Sequence, residues 1–261
     1  MRPKKRLGQH FLRDPSLVQR VVDAFAPHPQ DLVVEIGPGE GVLTRELAAR
    51  VDTLHVIELD GDLCQRLAQD PCLSHVRVHH ADALRFPLCD LMESGRRLRL
   101  IGNLPYNIST PLLFRLFDLR QCLQDMLFMF QREVVVRMLA PPGGKEYGRL
   151  SVMSQFFCQA RHVLEAPPAA FWPAPRVHSA VVHLTPRETL PLAGTRIQLF
   201  EEVVRNAFGQ RRKTLRNSLR HVIDEASLQR IGIDPVRRAE TLSLAEFLAV
   251  TEAVWRCSGH D

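Results

Sequence analysis

Apolar residues along the first half of the chain gather into short runs, separated by stretches in which they recur every three or four positions. "LVVEIG" (32–37), "TLHVIEL" (53–59), "HVRVHHAD" (75–82), "RLRLIGNL" (97–104) and "DMLFMFQ" (125–131) read as strands. Most are separated by segments long enough for a helix, such as 42–49 and 61–68. That alternation predicts βαβ units and a mainly parallel sheet covered on both faces. Ahead of the first strand, Asp14 caps and Pro15 opens a helix on which Leu17, Val18, Val21, Val22 and Phe25 share one face. Two later runs, "SVMSQFF" (151–157) and "SAVVHLT" (179–185), have no convincing helix between them and predict an antiparallel edge pair. Past Pro186 the period turns helical. Ile197, Phe200, Val203, Val204, Ala207 and Phe208 recur at helical spacing, and Ser243 with Glu246 forms a capping box ahead of Phe247, Leu248, Val254 and Trp255. Two prolines and a glycine interrupt the pattern between 186 and 194, so the expected division is an α/β domain over 1–188 and a small all-helical domain over 189–261.

Composition narrows the partners. A chain of 261 residues with 45% hydrophobic and 24% charged side chains buries a real core, which excludes disorder. The net charge of +5 points to a polyanion only because of where the cations lie. Arg2, Lys4, Lys5, Arg6 and Arg13 precede the first acid, and no acid interrupts Arg205 to Arg220. Within that second cluster Arg212, Arg216 and Arg220 fall at i, i+4 and i+8, forming one positive ridge. Arg211, Arg212, Lys213, Arg216 and Arg220, with the amino-terminal arm, are therefore expected to meet the phosphates of a folded nucleic acid. The six cysteines show neither metal-ligand spacing nor a secreted-domain framework, which suits a reducing cytosol and no metal. The basic start lacks an apolar core for a signal peptide, and no run approaches the ~20 apolar residues of a membrane span, so neither export nor a membrane partner is expected.

"VVEIGPGEGVLT" (33–44) sets Gly37, Gly39 and Gly41 between the first strand and a helix, at the sheet's carboxyl edge where ligands bind. The second strand ends in Glu58, from which a carboxylate accepts hydrogen bonds from two ribose hydroxyls, and the third in Asp82, suited to an adenine amino group. No basic residue sits among the glycines to meet a pyrophosphate, and the turn lacks the Lys-Ser/Thr of a P-loop. An adenosine cofactor without phosphates, S-adenosylmethionine, fits that set. A nicotinamide dinucleotide shares the ribose carboxylate but not the missing cations. Each acid alone reads as a solvated strand end; three aligned strand ends read as a site.

The fourth strand delivers Asn103-Leu104-Pro105-Tyr106 to the same edge. A ring amine such as adenine N6 is a poor nucleophile because its lone pair is delocalised. Two acceptors on its N–H protons draw it toward tetrahedral geometry, and the Asn103 side-chain oxygen and Leu104 carbonyl are the candidates, with Pro105 biasing Leu104 toward an extended backbone. Tyr106 offers a stacking face. An enzyme acting on such a base in folded nucleic acid takes it out of its stack, and "FWPAPRVHSAV" (171–181) offers Phe171 and Trp172 on a proline-stiffened loop, with Phe171 for the face opposite Tyr106.

"GQHFLRD" (8–14), "VVEIGPGEGVLT", "VIELD" (56–60), "ADAL" (81–84), "IGNLPYNIS" (101–109), "YGRLSV" (147–152), "FWPAPRVHSAV" and "FGQRRKTLRNSL" (208–219) occur in order across nearly the whole chain. Together they closely resemble the KsgA/RsmA family of ribosomal RNA adenine dimethyltransferases. The resemblance implies a Rossmann-like methyltransferase sheet and transfer of methyl groups from S-adenosylmethionine to N6 of two adjacent adenosines, in a hairpin loop near the 3′ end of 16S rRNA in the maturing 30S subunit, by a monomer in the cytoplasm. It also implies a cofactor site of His10, Leu12, Gly37, Gly39, Glu58, Leu59, Asp82, Ala83 and Asn103, with Asn103 to Tyr106 and Phe171 at the reaction. The chain departs from the family at His10, where Asn is frequent; either side chain can donate to the methionine carboxylate. Methylation of 23S rRNA, a non-catalytic role in 30S assembly, and a nicotinamide dehydrogenase remain as alternatives; assays on immature 30S particles and free 23S RNA separate the first from the 16S reading, and the second predicts that Asn103→Ala loses transfer yet still corrects an assembly defect.

Overall fold

The computed structural model describes residues 4, 8–93, 95–106, 108–210 and 212–258. In chain order these form β1 (Phe11–Leu12), α1 (Pro15–Phe25), β2 (Leu32–Ile36), α2 (Val42–Ala48), β3 (Thr53–Glu58), α3 (Gly61–Gln69), β4 (Arg77–His80) and β5 (Leu98–Asn103). There follow α4 (Ser109–Asp118), β6 (Leu123–Gln131), α5 (Arg132–Leu139), α6 (Arg149–Phe157), β7 (Cys158–Ala166), β8 (Phe171–Trp172) and β9 (Ser179–Pro186). The last elements are α7 (Thr195–Gly209), α8 (Leu215–Ser218), α9 (Glu225–Arg230) and α10 (Leu244–Cys257).

Seven strands form one sheet in the order β4-β3-β2-β5-β6-β9-β7, and β1 pairs with β8 in a separate two-stranded ribbon. Strands β2 to β6 run parallel, and β9 returns antiparallel to β6. This is the mainly parallel sheet expected of the alternating pattern, in the Rossmann-like form that the resemblance implies. All five residues of β2 are buried, as a strand covered on both faces requires. The Asp14 carboxylate accepts from the N–H groups of Ser16 and Leu17, and the five apolar residues foreseen on the face of α1 are all buried. They join β2, β3 and α2 in a core that also takes in Leu12 and Phe171.

The chain divides into two compact units, 1–135 with 161–186, and 136–160 with 187–261. The second thus includes α6, which a linear boundary at residue 188 assigns to the first. Two local expectations are corrected. "SVMSQFF" is helical: it lies within α6, whose Ser151, Val152, Met153, Ser154, Phe156 and Phe157 are all buried. A helix buried around most of its girth carries an unbroken apolar run, which mimics a buried strand. The strand that pairs with β9 is the next segment, β7. The basic ridge is also broken. Helix α7 stops at Gly209 and α8 is a single turn, so Arg212, Arg216 and Arg220 do not share one helix.

Cys89 and Cys122 form a disulfide with Cα atoms 5.4 Å apart, a pair that sequence spacing does not mark out. No helix among the described residues is long and apolar enough to cross a membrane.

Candidate active site

The strand order reverses between β2 and β5, and such a switch point opens a crevice at the carboxyl ends of the strands. A cleft lies there, lined by the glycine turn, the ends of β3, β4 and β5, and the segment around β1. His10, Leu12, Gly37, Gly39, Glu58, Leu59, Asp82, Ala83, Asn103, Leu104, Pro105 and Tyr106 all border it. Twelve residues drawn from five separate stretches of sequence are thereby brought to one wall.

Backbone geometry explains the turn. The Gly37 N–H extends the β2 ladder to Ile57 O at 2.9 Å, after which Gly37 and Gly39 adopt φ of 70° and 57°. A Cβ on Gly39 would lie 2.9 Å from the Phe11 ring, so the amino-terminal motif rests directly on the turn. The Gly39 N–H donates to Glu58 Oε2 at 3.2 Å and the Asp60 N–H to Glu58 Oε1 at 2.9 Å. Burial raises the Glu58 pKa against the opposing pull of these N–H donors. Asp82 accepts from the Leu84 N–H at 2.9 Å, which fixes the turn beyond β4.

Asn103 is half-buried at the end of β5. Its Nδ2 donates to the His10 main-chain oxygen at 2.8 Å, which orients the carboxamide and keeps Oδ1 as an acceptor. The Pro105 carbonyl accepts from the Ile108 N–H and the Ser109 hydroxyl, both at 3.2 Å, starting α4. Among the described residues no backbone N–H reaches the Leu104 carbonyl, so Asn103 Oδ1 and Leu104 O are the acceptors this motif offers. The Tyr106 hydroxyl bonds Ser179 Oγ at 2.8 Å, and burial raises its pKa against that bond, so the phenol is neutral at physiological pH. The His10 ring stacks on Tyr106 at 5.5 Å, and its Nδ1 meets Pro173 O at 2.6 Å. His10 thus joins the amino-terminal motif, the Asn103 strand and the proline loop.

Phe171 departs from expectation. It is 5% exposed, belongs to the core beneath β1, and does not border the cleft. Its backbone pairs with Leu12, so alternation along β8 turns Trp172 outward instead. The amino-terminal arm differs as well. Lys4 Nζ pairs with Asp60 at 2.6 Å and Asp62 at 2.7 Å, and is thus committed to α3; Arg2, Lys5 and Arg6 lie outside the described residues. In the second basic cluster Arg212, Lys213, Arg216 and Arg220 are exposed, whereas Arg211 lies outside the described residues.

Three contributors are not apparent from the sequence. A Cβ on Gly102 would sit 2.4 Å from Ile36 O, so only glycine lets β5 approach β2 closely enough to bring Asn103 beside the turn. Glycine immediately before the motif was the available signal. Glu35, 1% exposed, accepts from Thr44 Oγ1 at 2.6 Å; burial raises its pKa to about 8, with Thr44 opposing and Glu58 adding to the rise. Glu40 completes a set of four carboxyl groups on the cleft, whose lining among the described residues contains no Lys or Arg. This donor set discriminates between cofactors. A pyrophosphate would find no Lys or Arg on this lining to supplement the turn's N–H groups, whereas a sulfonium and an ammonium need none.

The chain matches the family model for ribosomal RNA adenine dimethylase over residues 1–255. A ribosomal RNA small subunit methyltransferase A from Methylococcus capsulatus is 51% identical over 95% of this chain and 96% of its own length. The protein of that name from Vibrio vulnificus is 47% identical over 98% and 96%. Among solved structures, a dimethyladenosine transferase from Plasmodium falciparum superposes with a TM-score of 0.81 at 25% identity, covering 96% of this chain and 98% of that one. The 23S rRNA methyltransferase ErmE gives 0.70 at 25% identity, covering 94% and 99%.

Proposed function

Since this chain belongs to the ribosomal RNA adenine dimethylase family, we propose that it dimethylates N6 of two adjacent adenosines in the 3′-terminal hairpin loop of 16S rRNA, within the maturing 30S subunit. The observation that carries the reading is the Asn103 carboxamide. One of its two N–H donors is spent on His10 O, which fixes the carboxamide while it borders the cleft formed by the glycine turn, Glu58 and Asp82. The small-subunit relatives, near half identical over nearly the full chain, favour 16S over 23S rRNA.

S-adenosylmethionine, when bound, supplies an electrophilic methyl group. Gly37 and Gly39 would admit it by close backbone approach, Glu58 would accept from its ribose hydroxyls, and Asp82 with Ala83 and Leu59 would receive the adenine. The side of the cleft formed by His10 and Leu12 would take the amino-acid end. Asn103 Oδ1 and Leu104 O accept the two N6 protons of the extruded target base, drawing its lone pair out of conjugation. Tyr106 supplies a stacking surface and stays neutral. Attack by N6 would form the N–C bond as the S–C bond breaks to leave a neutral thioether, and the cationic nitrogen would then lose its acidic proton to water, so no strong base is required. Phe171 enters the reaction only if the β1–β8 ribbon shifts to uncover it; in the present arrangement it anchors that ribbon. The exposed cations from Arg212 to Arg220 contact phosphate and make binding salt-dependent. The protein acts as a cytoplasmic monomer.

Incubation with labelled S-adenosylmethionine and undermethylated 30S particles, with free 23S RNA as the parallel arm, tests this reading. Dimethyladenosine confined to the small-subunit RNA is expected; label in 23S RNA alone overturns it.

A further inference from the structure

The cleft accounts for one extruded base and leaves a neighbouring feature unused. Trp172 is 39% exposed, beside an otherwise buried ribbon. Its position is tightly fixed. It pairs in register with Phe11, which borders the cleft, and the carbonyl of the next residue, Pro173, meets His10 Nδ1 at 2.6 Å. The Arg13 guanidinium lies 4.6 Å from the indole centroid, and its Nη2 pairs with Glu40, another cleft residue, at 3.3 Å. Aromatic ring, cation and cleft rim are therefore continuous, and all belong to one compact unit.

An indole this exposed sits in water at a hydrophobic cost, and Arg13 is the group that the described residues place over its ring. Resting on the proposed function, we propose that Trp172 and Arg13 form a second nucleobase site, in which the indole stacks on the base next to the extruded adenosine and Arg13 meets the adjoining phosphate. Three features fit that occupant. Every base offers a π-face to an aromatic platform. The guanidinium already held over the ring by Glu40 supplies the charge complementary to a backbone phosphate. Continuity with the rim matches the reach of a nucleotide adjoining one buried in the cleft. Removing a base from its stack leaves its neighbour with an exposed face, which this ring would cover.

The test uses the full chain and two readouts. Trp172 and Trp255 are the only tryptophans, and Trp255 lies on α10 in the other compact unit, so a Trp255→Phe background makes Trp172 the sole indole reporter. Titration with undermethylated 30S particles is expected to quench its fluorescence. In steady-state methyl transfer, Trp172→Leu is expected to raise KM for the particle roughly five- to a hundredfold, the range of one lost stacking contact, with S-adenosylmethionine affinity unchanged. Trp172→Phe restores most of the loss. RNA hairpins with an abasic nucleotide flanking the target pair should penalise wild type but add nothing to Trp172→Leu. Wild-type methyl transfer with unchanged KM in Trp172→Leu, or an equal abasic penalty in both proteins, overturns this site while leaving the proposed function intact. Wild type that transfers no methyl group to any rRNA defeats both. A KM rise seen only with intact particles and never with RNA hairpins assigns the ring to a protein partner and also overturns the site.

Discussion

Strand β5 carries Arg99 near its amino end and Asn103 at its carboxyl end, and the two are treated in opposite ways. The Arg99 guanidinium spends all five N–H donors inside the protein: two on Asp125 at 2.8 and 2.9 Å, one on Asp31 at 2.6 Å, and two on the carbonyls of Phe25 and Ala26. Its plane also lies 4.3 Å over the Phe25 ring, and His183 adds a bond to Asp125 at 2.8 Å. Asn103 makes one side-chain bond, to a main-chain oxygen, and borders open space. A buried group with every valence satisfied holds the sheet together; one with an acceptor left over can act on something else. Burial and polarity therefore do not by themselves identify a working residue. Unspent hydrogen-bonding capacity facing a cavity does.

Substitutions at the two ends should therefore separate stability from activity. Arg99→Ala leaves the buried Asp125 and the half-buried Asp31 without their guanidinium and is expected to cost about 3–5 kcal/mol in chemical denaturation, while the molecules still folded keep near-normal turnover. Asn103→Ala should do the reverse. Methyl transfer is expected to drop roughly 10²–10³-fold, about 3–4 kcal/mol in the barrier, with a melting temperature within about 2 °C of the parent for a change of a few tenths of a kcal/mol. Comparable losses of stability in both variants would erase the distinction. Gly102→Ala lies between them. Its Cβ must push β2 away from β5, so a loss of about 1–3 kcal/mol and a fall in methyl transfer should come together, measured by denaturation and assay of one preparation. The subtlest contrast is in pH. Unfolded Glu35 loses its proton near 4.5, whereas the folded group retains it up to about 8. The stabilising contribution of the protonated carboxyl is thus complete below 4.5 and declines as pH rises through 8, by no more than about 1.4 kcal/mol per pH unit. Glu35→Gln should flatten that decline in melts between pH 5 and 8; an unchanged slope would assign the dependence to another group.

Legibility in the sequence followed the range of the forces involved. The β-strands from Leu32 to Gln131, the Asp14 cap and the Ser243–Glu246 box were readable because each depends on neighbours within a few residues. Strand ends carrying Glu58, Asp82 and Asn103 were readable because parallel βαβ topology sends them to one edge. What escaped depends on distant partners. Phe171 is inward because a two-residue strand pairs with Phe11 and Leu12, far away in sequence. Lys4 is committed because α3 and its cap present Asp60 and Asp62 to it. The run at 151–157 reads as a strand until its surroundings are known, since the fold buries nearly its whole circumference. The ridge from Arg212 to Arg220 fails for a more local reason: Gly209 ends α7, and Thr214 begins a new turn.

The absence of Lys and Arg from the described lining of the cleft has a consequence for turnover. A donor arrives carrying a sulfonium charge that these carboxylates attract, and the thioether left after transfer is neutral at sulfur. Glu35 keeps its proton up to about pH 8 and Glu40 is paired with Arg13, so the preference of these walls for a charged donor over a neutral thioether falls to Glu58 and Asp82.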